Sequence, residues 1–407
     1  MSGPLSGVKV LELSTFVAAP CCARLMADLG ADVIKVERTD GDAWRKTGIS
    51  YMPSRFSDQE NPVFDIYNSG KRHIALNLKD PAGMEAFHKL LAEADVFITN
   101  TRPAALHRLG LAYEDVKDKY PRLIYAIVLG YGEKGPDTNL PAFDTSAFWS
   151  RSGFLRDQGT ILPDGQYMPV TAPSSMGDTA TGYMLLAQIN AALYGRTVTG
   201  KGDYVRSGLF HNAIFITGTM QIYTQPPWGS KLFPPRRIDA GVPGGAYECS
   251  DGEWIFIASG YAEALIPLVC KAVGREELME DPEFTNGASR WKNRSKYYEI
   301  FRDEFKKQPS EHWVAKGKEL DFPCVRMGHY ADIATDEQAW ANGYLENVTF
   351  ENGRVDVMPR SPIEMDSVGE LYTKTAPAIG AHTAEILAEL GYTDQQIAAM
   401  QTGGAAK

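Results

Sequence analysis

One aspartate stands alone among small residues in the stretch SSMGDTATG, residues 174–182. Asp178 is flanked by Ser174, Ser175, Gly177, Thr179, Ala180 and Gly182, and a mostly apolar helical run follows at once. Two chemistries use such a pattern. An aspartate ahead of an apolar helix caps it, accepting hydrogen bonds from the unpaired backbone N–H groups of the first turn. The same geometry keeps a carboxylate ionised and ready to attack an activated acyl group such as a thioester. Small neighbours would then leave room for the reacting carbon and for a second carboxylate that follows it.

The elements that must position this residue are legible in outline. Strand patterns at 7–13, 31–37, 73–78, 95–100 and 123–132 alternate with helical ones through the first 130 residues. Alternation of this kind predicts an α/β fold, a Rossmann-like parallel sheet with helices on both faces. Ligands of such sheets bind beyond the carboxyl ends of the strands. The loop after the first strand reads STFVAAP rather than GxGxxG, which excludes the usual dinucleotide pyrophosphate turn. Helical residues 179–195 and the segment 202–215 continue this large domain. We divide the chain into 1–221, the first part of a large Rossmann-like domain; 222–245, a Pro/Gly-rich linker or active-site loop; 246–320, a smaller α+β domain; and 321–407, a return to the large domain. The smaller domain is read as a hairpin at 246–260 and helices near 261–273, 287–307 and 310–319. The returning part is read as βα texture from PCVRM (323–327), a helix at 336–345, a hairpin at Asn352-Gly353 and two short helices. Thr393 and Gln396 have capping-box spacing for the last helix.

Composition narrows the class. The chain has 407 residues, too many for one ordinary core, with 44% hydrophobic and 23% charged residues. A net charge of −10 argues against general nucleic-acid binding. No apolar stretch approaches the roughly 20 residues that span a bilayer, and the first residues lack a signal-peptide pattern. Cys21, Cys22, Cys249, Cys270 and Cys324 form no CxxC pair, so free thiols in a cytoplasmic protein are expected. The seven histidines are scattered with no HExxH, and no metal is expected.

The order of several further segments carries a resemblance. VLELSTFVAAPCCARLMADLGADVIKVER (10–38), NSGKRHIALNLK (68–79), ADVFITNTRPAALHRLGL (94–111), GYGEKGP (130–136), MGDTATG (176–182) and TGKGDYV (199–205) follow one another as in the class III CoA-transferases, the family of formyl-CoA transferase. The chain resembles that family nearly end to end. The resemblance implies that Asp178 attacks a donor acyl-CoA, passes through mixed anhydrides and an aspartyl-CoA thioester, and hands CoA to an acceptor acid. Water must be kept out, because an acyl anhydride hydrolyses. It also implies coenzyme A as the bound substrate, an interlocked homodimer, an active-site glutamate at Glu133, and a glycine loop donating N–H groups to oxyanions at Gly241, Gly244 and Gly245. The CoA contacts that it implies are Val17, Ala18, Arg38, Leu76, Lys79, Asn100, Thr101, Arg102, Arg108 and Tyr131. Read without the resemblance, Glu133 is a solvated loop carboxylate, the glycines a plain turn and the cations surface charges. Trp44, Phe143, Phe148, Trp149 and Phe154 are read as the wall of an acyl pocket or as ordinary core.

Two rivals to this reading differ from it at a named residue. An acyl-CoA racemase of the same superfamily needs a histidine base in the segment PAFDTSAF (141–148), where Phe143 stands instead. A non-catalytic CoA-binding protein would not need Asp178. Formyl/oxalyl or succinyl transfer remains the alternative within the family. Segments 130–153 and 336–345 resemble the subgroup that acts on aryl-lactates or 2-hydroxyisocaproate in anaerobic amino-acid fermentation, where the enoyl-CoA product serves as the CoA donor. A 2-hydroxy acid CoA-transferase is therefore the expected activity.

Overall fold

The apolar runs at the start of the chain pair into one sheet. The computed structural model describes residues 3–47, 60–162, 164–226, 241–258 and 263–407. Six strands are parallel: β1 Lys9–Leu13, β2 Asp32–Glu37, β3 Arg72–Ala75, β4 Val96–Thr99, β5 Ile124–Leu129 and β6 Tyr204–Gly208, in spatial order β3-β2-β1-β4-β5-β6. The chain thus winds from β1 toward β3, then returns past β1 to build the other half. The fold is mixed α/β.

Helix starts follow local rules. α1 is Ala18–Asp28, α2 Pro62–Asn68, α3 Pro81–Glu93 and α4 Pro103–Leu109. The last three open on proline, whose missing N–H costs nothing at a first helical position and whose φ is already helical. Asn61 and Asp80 cap α2 and α3 by accepting the N–H groups of Phe64 and Ala82. The long helix α5 is Met176–Thr199, and α6 is Leu209–Ile216.

Successive strand residues point to opposite faces, so the sheet has two cores. Val10, Val33, Val96, Ile98 and Ile124 meet α1 and α5 through Ala19, Met26, Leu185 and Ile189. Leu11, Val36, Ile74, Phe97, Tyr125 and Ile127 meet α3 through Phe87, Leu90 and Leu91. The same face is covered by the C-terminal helices Thr383–Glu389 and Asp394–Thr402 through Ile386, Leu387 and Met400. Each such side chain, fully buried, contributes about 1.5–3 kcal/mol. The final helix carries the Thr393–Gln396 capping box.

By contact density the chain divides into two units: 1–154, 172–222 and 336–407 form one, and 155–171 with 223–335 the other. Residues 155–171 and 321–335, assigned to the large domain from sequence, cluster with the second unit. That unit holds an antiparallel sheet of β7 Gly245–Glu248, β8 Trp254–Ile257 and β9 Cys324–Arg326, in order β9-β8-β7. Its core gathers Tyr247, Ile255, Val269, Phe301, Phe305 and Trp313. The PCVRM segment does not resume a parallel βα unit, because β9 pairs antiparallel with β8. A short apolar strand reads alike in either setting, and only its partner decides. The helix expected at 336–345 stops at Ala341, and Leu345–Thr349 is already a strand, paired with Val355–Pro359 across the Asn352-Gly353 turn. Of the expected linker at 222–245, residues 227–240 lie outside the described residues, as do 259–262 at the start of the expected helix. Among the described residues, no helix is long and apolar enough to cross a membrane.

Candidate active site

The sheet reverses its winding at β1, which pairs with both β2 and β4. At such a point the loops leaving the strand ends diverge and open a crevice. Thr15–Ala18 follow β1, Arg38 follows β2, Asn100–Arg102 follow β4 and Gly130 follows β5. All of them line one cleft of about 530 Å³, together with Asp178 and Phe143.

Asp178 lies in the first turn of α5 and is not its cap. The N-cap is Ser175, in a left-handed conformation with φ 65° and without a side-chain cap bond. Among the described residues, nothing donates a hydrogen bond to the Asp178 carboxylate. Burial, joined by the charge of Asp144, pushes that carboxyl up to about 7. Asp144 is buried and approaches the helix from a separate segment. Its own carboxyl is pushed up to about 6 by burial, against the pull of the Trp149 indole and the backbone N–H groups of Ser175, Gly177 and Asp178. None of these contacts closes to full hydrogen-bond geometry, so the site keeps two poorly satisfied carboxyls at one helix end. Two such groups titrate as a pair near neutral pH.

Two of the small neighbours of Asp178, Gly177 and Gly182, have a different cause from the one read in sequence. A Cβ on Gly177 would lie 2.3 Å from Asp144 Oδ1 and 2.4 Å from Phe148 Cγ. On Gly182 it would lie 2.7 Å from the Ala18 carbonyl oxygen and 2.9 Å from Cys21 Cβ. Both positions are filled by protein, not by ligand space: one admits Asp144, the other lets α1 and α5 touch.

Behind the cleft, the sheet carries a buried ionic group. Lys35 Nζ is 2.9 Å from Glu12 and 3.1 Å from Asp42, and Lys71 Nζ is 2.7 Å from Glu12. Burial alone would raise the Glu12 carboxyl, but Lys35 and Lys71 outweigh it and hold the group at about 2. Desolvation lowers Lys71 to about 8. Among described residues three non-glycine positions have positive φ, and two of them, Phe16 and Ser175, flank this cleft or its helix. Each costs about 1–3 kcal/mol and persists only where its surroundings force it.

The residues expected from sequence divide by position. Val17, Ala18, Arg38, Asn100, Thr101, Arg102, Phe143 and Asp178 line the cleft. Leu76 is buried beside Ala406, while Lys79 and Arg108 are exposed; none of the three is a lining residue. Tyr131 packs near Phe210 with the Arg151 guanidinium 5.6 Å over its ring. Glu133 lies in a separate recess of about 250 Å³, bonded to the Tyr204 hydroxyl and paired with Arg206 at 3.1 Å. Phe148 is core beneath Gly177, with Trp149 against it and Phe154 beyond. Trp44 touches Phe16, their rings 5.9 Å apart. Gly241, Gly244 and Gly245 belong to the second unit, where Gly245 opens β7. Asp144, Asp42 and Phe16 were not singled out in sequence. Asp144 directly follows Phe143 in the segment inspected for a histidine, and a carboxylate there was a readable signal.

Comparison with known proteins bears on what this cleft serves. The pattern that defines CoA-transferase family III matches residues 5–383. The chain belongs to that family. This CoA-transferase is 38% identical over 394 residues to the (R)-2-hydroxy-4-methylpentanoate CoA-transferase of Clostridioides difficile, covering 97% of each chain. It is 36% identical over 394 residues to the cinnamoyl-CoA:phenyllactate CoA-transferase of Clostridium sporogenes, covering 96% of this chain and 94% of that one. Among solved structures, a CAIB/BAIF family protein from Brucella suis superposes with a TM-score of 0.79 at 27% identity, over 96% of this chain and all of that one. As a family III CoA-transferase the enzyme uses CoA as a substrate, carried between carboxylic acids.

Proposed function

We propose that this CoA-transferase moves CoA from an enoyl-CoA to a 2-hydroxy acid, with Asp178 as the transient carrier. The Asp178 carboxylate attacks the donor thioester carbonyl, expelling CoA thiolate and leaving a mixed anhydride. The thiolate attacks the aspartyl carbonyl, giving an aspartyl-CoA thioester and releasing the donor acid as its carboxylate. The acceptor carboxylate attacks that thioester, freeing thiolate and forming a second anhydride. Thiolate then attacks the acceptor-derived carbonyl, which yields the new acyl-CoA and restores Asp178.

One observation carries the reading: a carboxylate without a hydrogen-bond donor, pressed by Asp144, on the wall of a switch-point cleft. Burial and repulsion raise the energy of the Asp178 anion. Acylation removes that charge, so both effects favour the acylated carboxyl. Arg38 and Arg102 at the strand ends suit the phosphates of CoA, since a guanidinium fork binds phosphate bidentately. Val17, Ala18, Asn100 and Thr101 form the rest of the CoA wall. The two relatives act, by name, on acids with branched or aryl side chains, and Phe143, 55% exposed at the cleft, offers such a group an apolar surface. Metabolically, such an enzyme fits amino-acid fermentation in the cytoplasm.

We also propose a homodimer. Tyr194, Val198 and Phe215 are 75–78% exposed on α5 and α6, an apolar display that water disfavours. Light scattering should report twice the chain mass.

The central test is an acceptor screen followed by mass spectrometry of CoA exchange, with hydroxylamine trapping of the enzyme acyl group. Exchange with 2-hydroxy acids and a hydroxamate at Asp178 are expected. Exchange without modification at Asp178 would overturn its role.

A further inference from the structure

The turn after β1 is gripped at two successive peptides, Ser14–Thr15 and Thr15–Phe16. Lys35 donates to the Ser14 carbonyl at 3.1 Å. Asn100 donates to the Thr15 carbonyl at 2.6 Å and accepts the Thr15 N–H at 3.0 Å. Asp42 Oδ1 accepts the Phe16 N–H at 3.2 Å and the Trp44 N–H at 2.9 Å. The other Asp42 oxygen lies 3.1 Å from the buried Lys35 ammonium. A single carboxylate therefore fixes two aromatic residues at once.

This grip holds Phe16 at φ 64°, a region that bulky side chains avoid. Glycine would occupy it without strain, so the ring is retained against the backbone's preference. Strain of this kind points toward a role for the side chain it positions. The Phe16 ring stands edge-on to Phe143, centroids 5.4 Å apart at 80°, and 5.9 Å from Trp44 at 58°. Phe16 and Phe143 line the same cleft as Asp178. Edge-to-face packing leaves ring faces available to a further apolar or aromatic group.

We propose that Phe16 is the specificity-determining residue of this cleft: its ring, set between Trp44 and Phe143, is the wall against which an aryl or branched side chain of the acid packs. Asp42 is the positioning residue that sets the wall. The inference rests on the CoA-transfer reading and adds the residue that chooses among acids. A short acid reaches the carboxylate chemistry without touching this wall, so the ring discriminates by side chain and leaves the transfer step alone.

The experiment compares kcat/KM for 3-phenyllactate and for lactate, with one common acyl-CoA donor, in the wild type, Phe16→Ala, Phe16→Gly and Asp42→Asn. Phe16→Gly removes the ring and relieves the backbone together, which protects the test against misfolding; circular dichroism and the unfolding midpoint check that it folds. For both Phe16 variants, kcat/KM with phenyllactate should fall about 10- to 100-fold and with lactate less than about 3-fold. Asp42→Asn keeps an acceptor for the Phe16 N–H but loses the Lys35 ion pair that orients it, so it should lose only part of the same ratio. An equal fall for both acids, or an unchanged ratio, overturns the role of Phe16 while the transfer reading stands. A wild type that transfers CoA to neither acid overturns both.

Discussion

Asp144 faces the N-terminal turn that carries Asp178, so a buried carboxyl from one segment raises the proton affinity of a carboxyl on another. The pair explains why Asp178 sits in a first helical turn and still holds its proton to about 7. A helix N-terminus ordinarily favours the anion, but here burial outweighs it and a second carboxyl adds to the effect.

Asp144→Asn removes the repelling charge and keeps the shape. The anion of Asp178 then becomes easier to form, so the acid limb of kcat/KM against pH should move to lower pH. An unmoved limb in a full pH profile would show that Asp144 does not set the proton affinity of Asp178.

Asp178→Asn should abolish CoA exchange and yet stabilise the fold above neutrality. Unfolded, this group titrates near 3.8; folded, at about 7. Between those values the folded chain holds a proton that the unfolded chain has released. Its contribution is complete below the lower value and is lost as pH rises through the higher one. Asparagine does not titrate. The variant should exceed the wild type by about 1–3 kcal/mol above pH 7 and differ little below about pH 4. Denaturant unfolding at both pH values measures it; equal stability at high pH would contradict the burial of the charge.

Gly177→Ala puts a methyl group where Asp144 Oδ1 and Phe148 already lie. Overpacking of this kind costs about 1–3 kcal/mol. The unfolding midpoint should drop, and CoA exchange should drop with it, since Asp144 must move. A fully active and fully stable variant would show that the helix end yields freely.

Lys35→Met leaves Asp42 buried without its cation, at a cost of about 3–5 kcal/mol. Adding Asp42→Asn removes the stranded charge and keeps an acceptor for the Phe16 and Trp44 N–H groups. The double variant should therefore be more stable than Lys35→Met alone. The reverse order in denaturant titrations would mean that Glu12, not Asp42, is the anion Lys35 chiefly serves.

Much of the positioning was legible in the sequence because it is local. Strand runs and the Thr393–Gln396 box depend on neighbouring residues and recur in the structure. The stretch around Asp178 announced itself as unusual because a charge among small residues is unusual anywhere. The reason for the two glycines was not legible. Gly177 and Gly182 exclude a Cβ because of Asp144, Phe148, Ala18 and Cys21, all distant in the chain. Likewise Phe16 read as one apolar residue in a loop, since its φ is imposed by Asp42 from another segment.

The sequence by itself determined the α/β alternation, the membership of the chain in its family and the choice of Asp178 as the residue to examine. Each depends on composition, periodicity or the linear order of segments. Only the tertiary structure decided that Asp144 stands against Asp178, that Glu133 turns instead to Tyr204 and Arg206, and that Cys324–Arg326 joins an antiparallel sheet. Those outcomes depend on which distant groups share a low-dielectric space, and proximity of that kind follows from packing rather than from spacing along the chain.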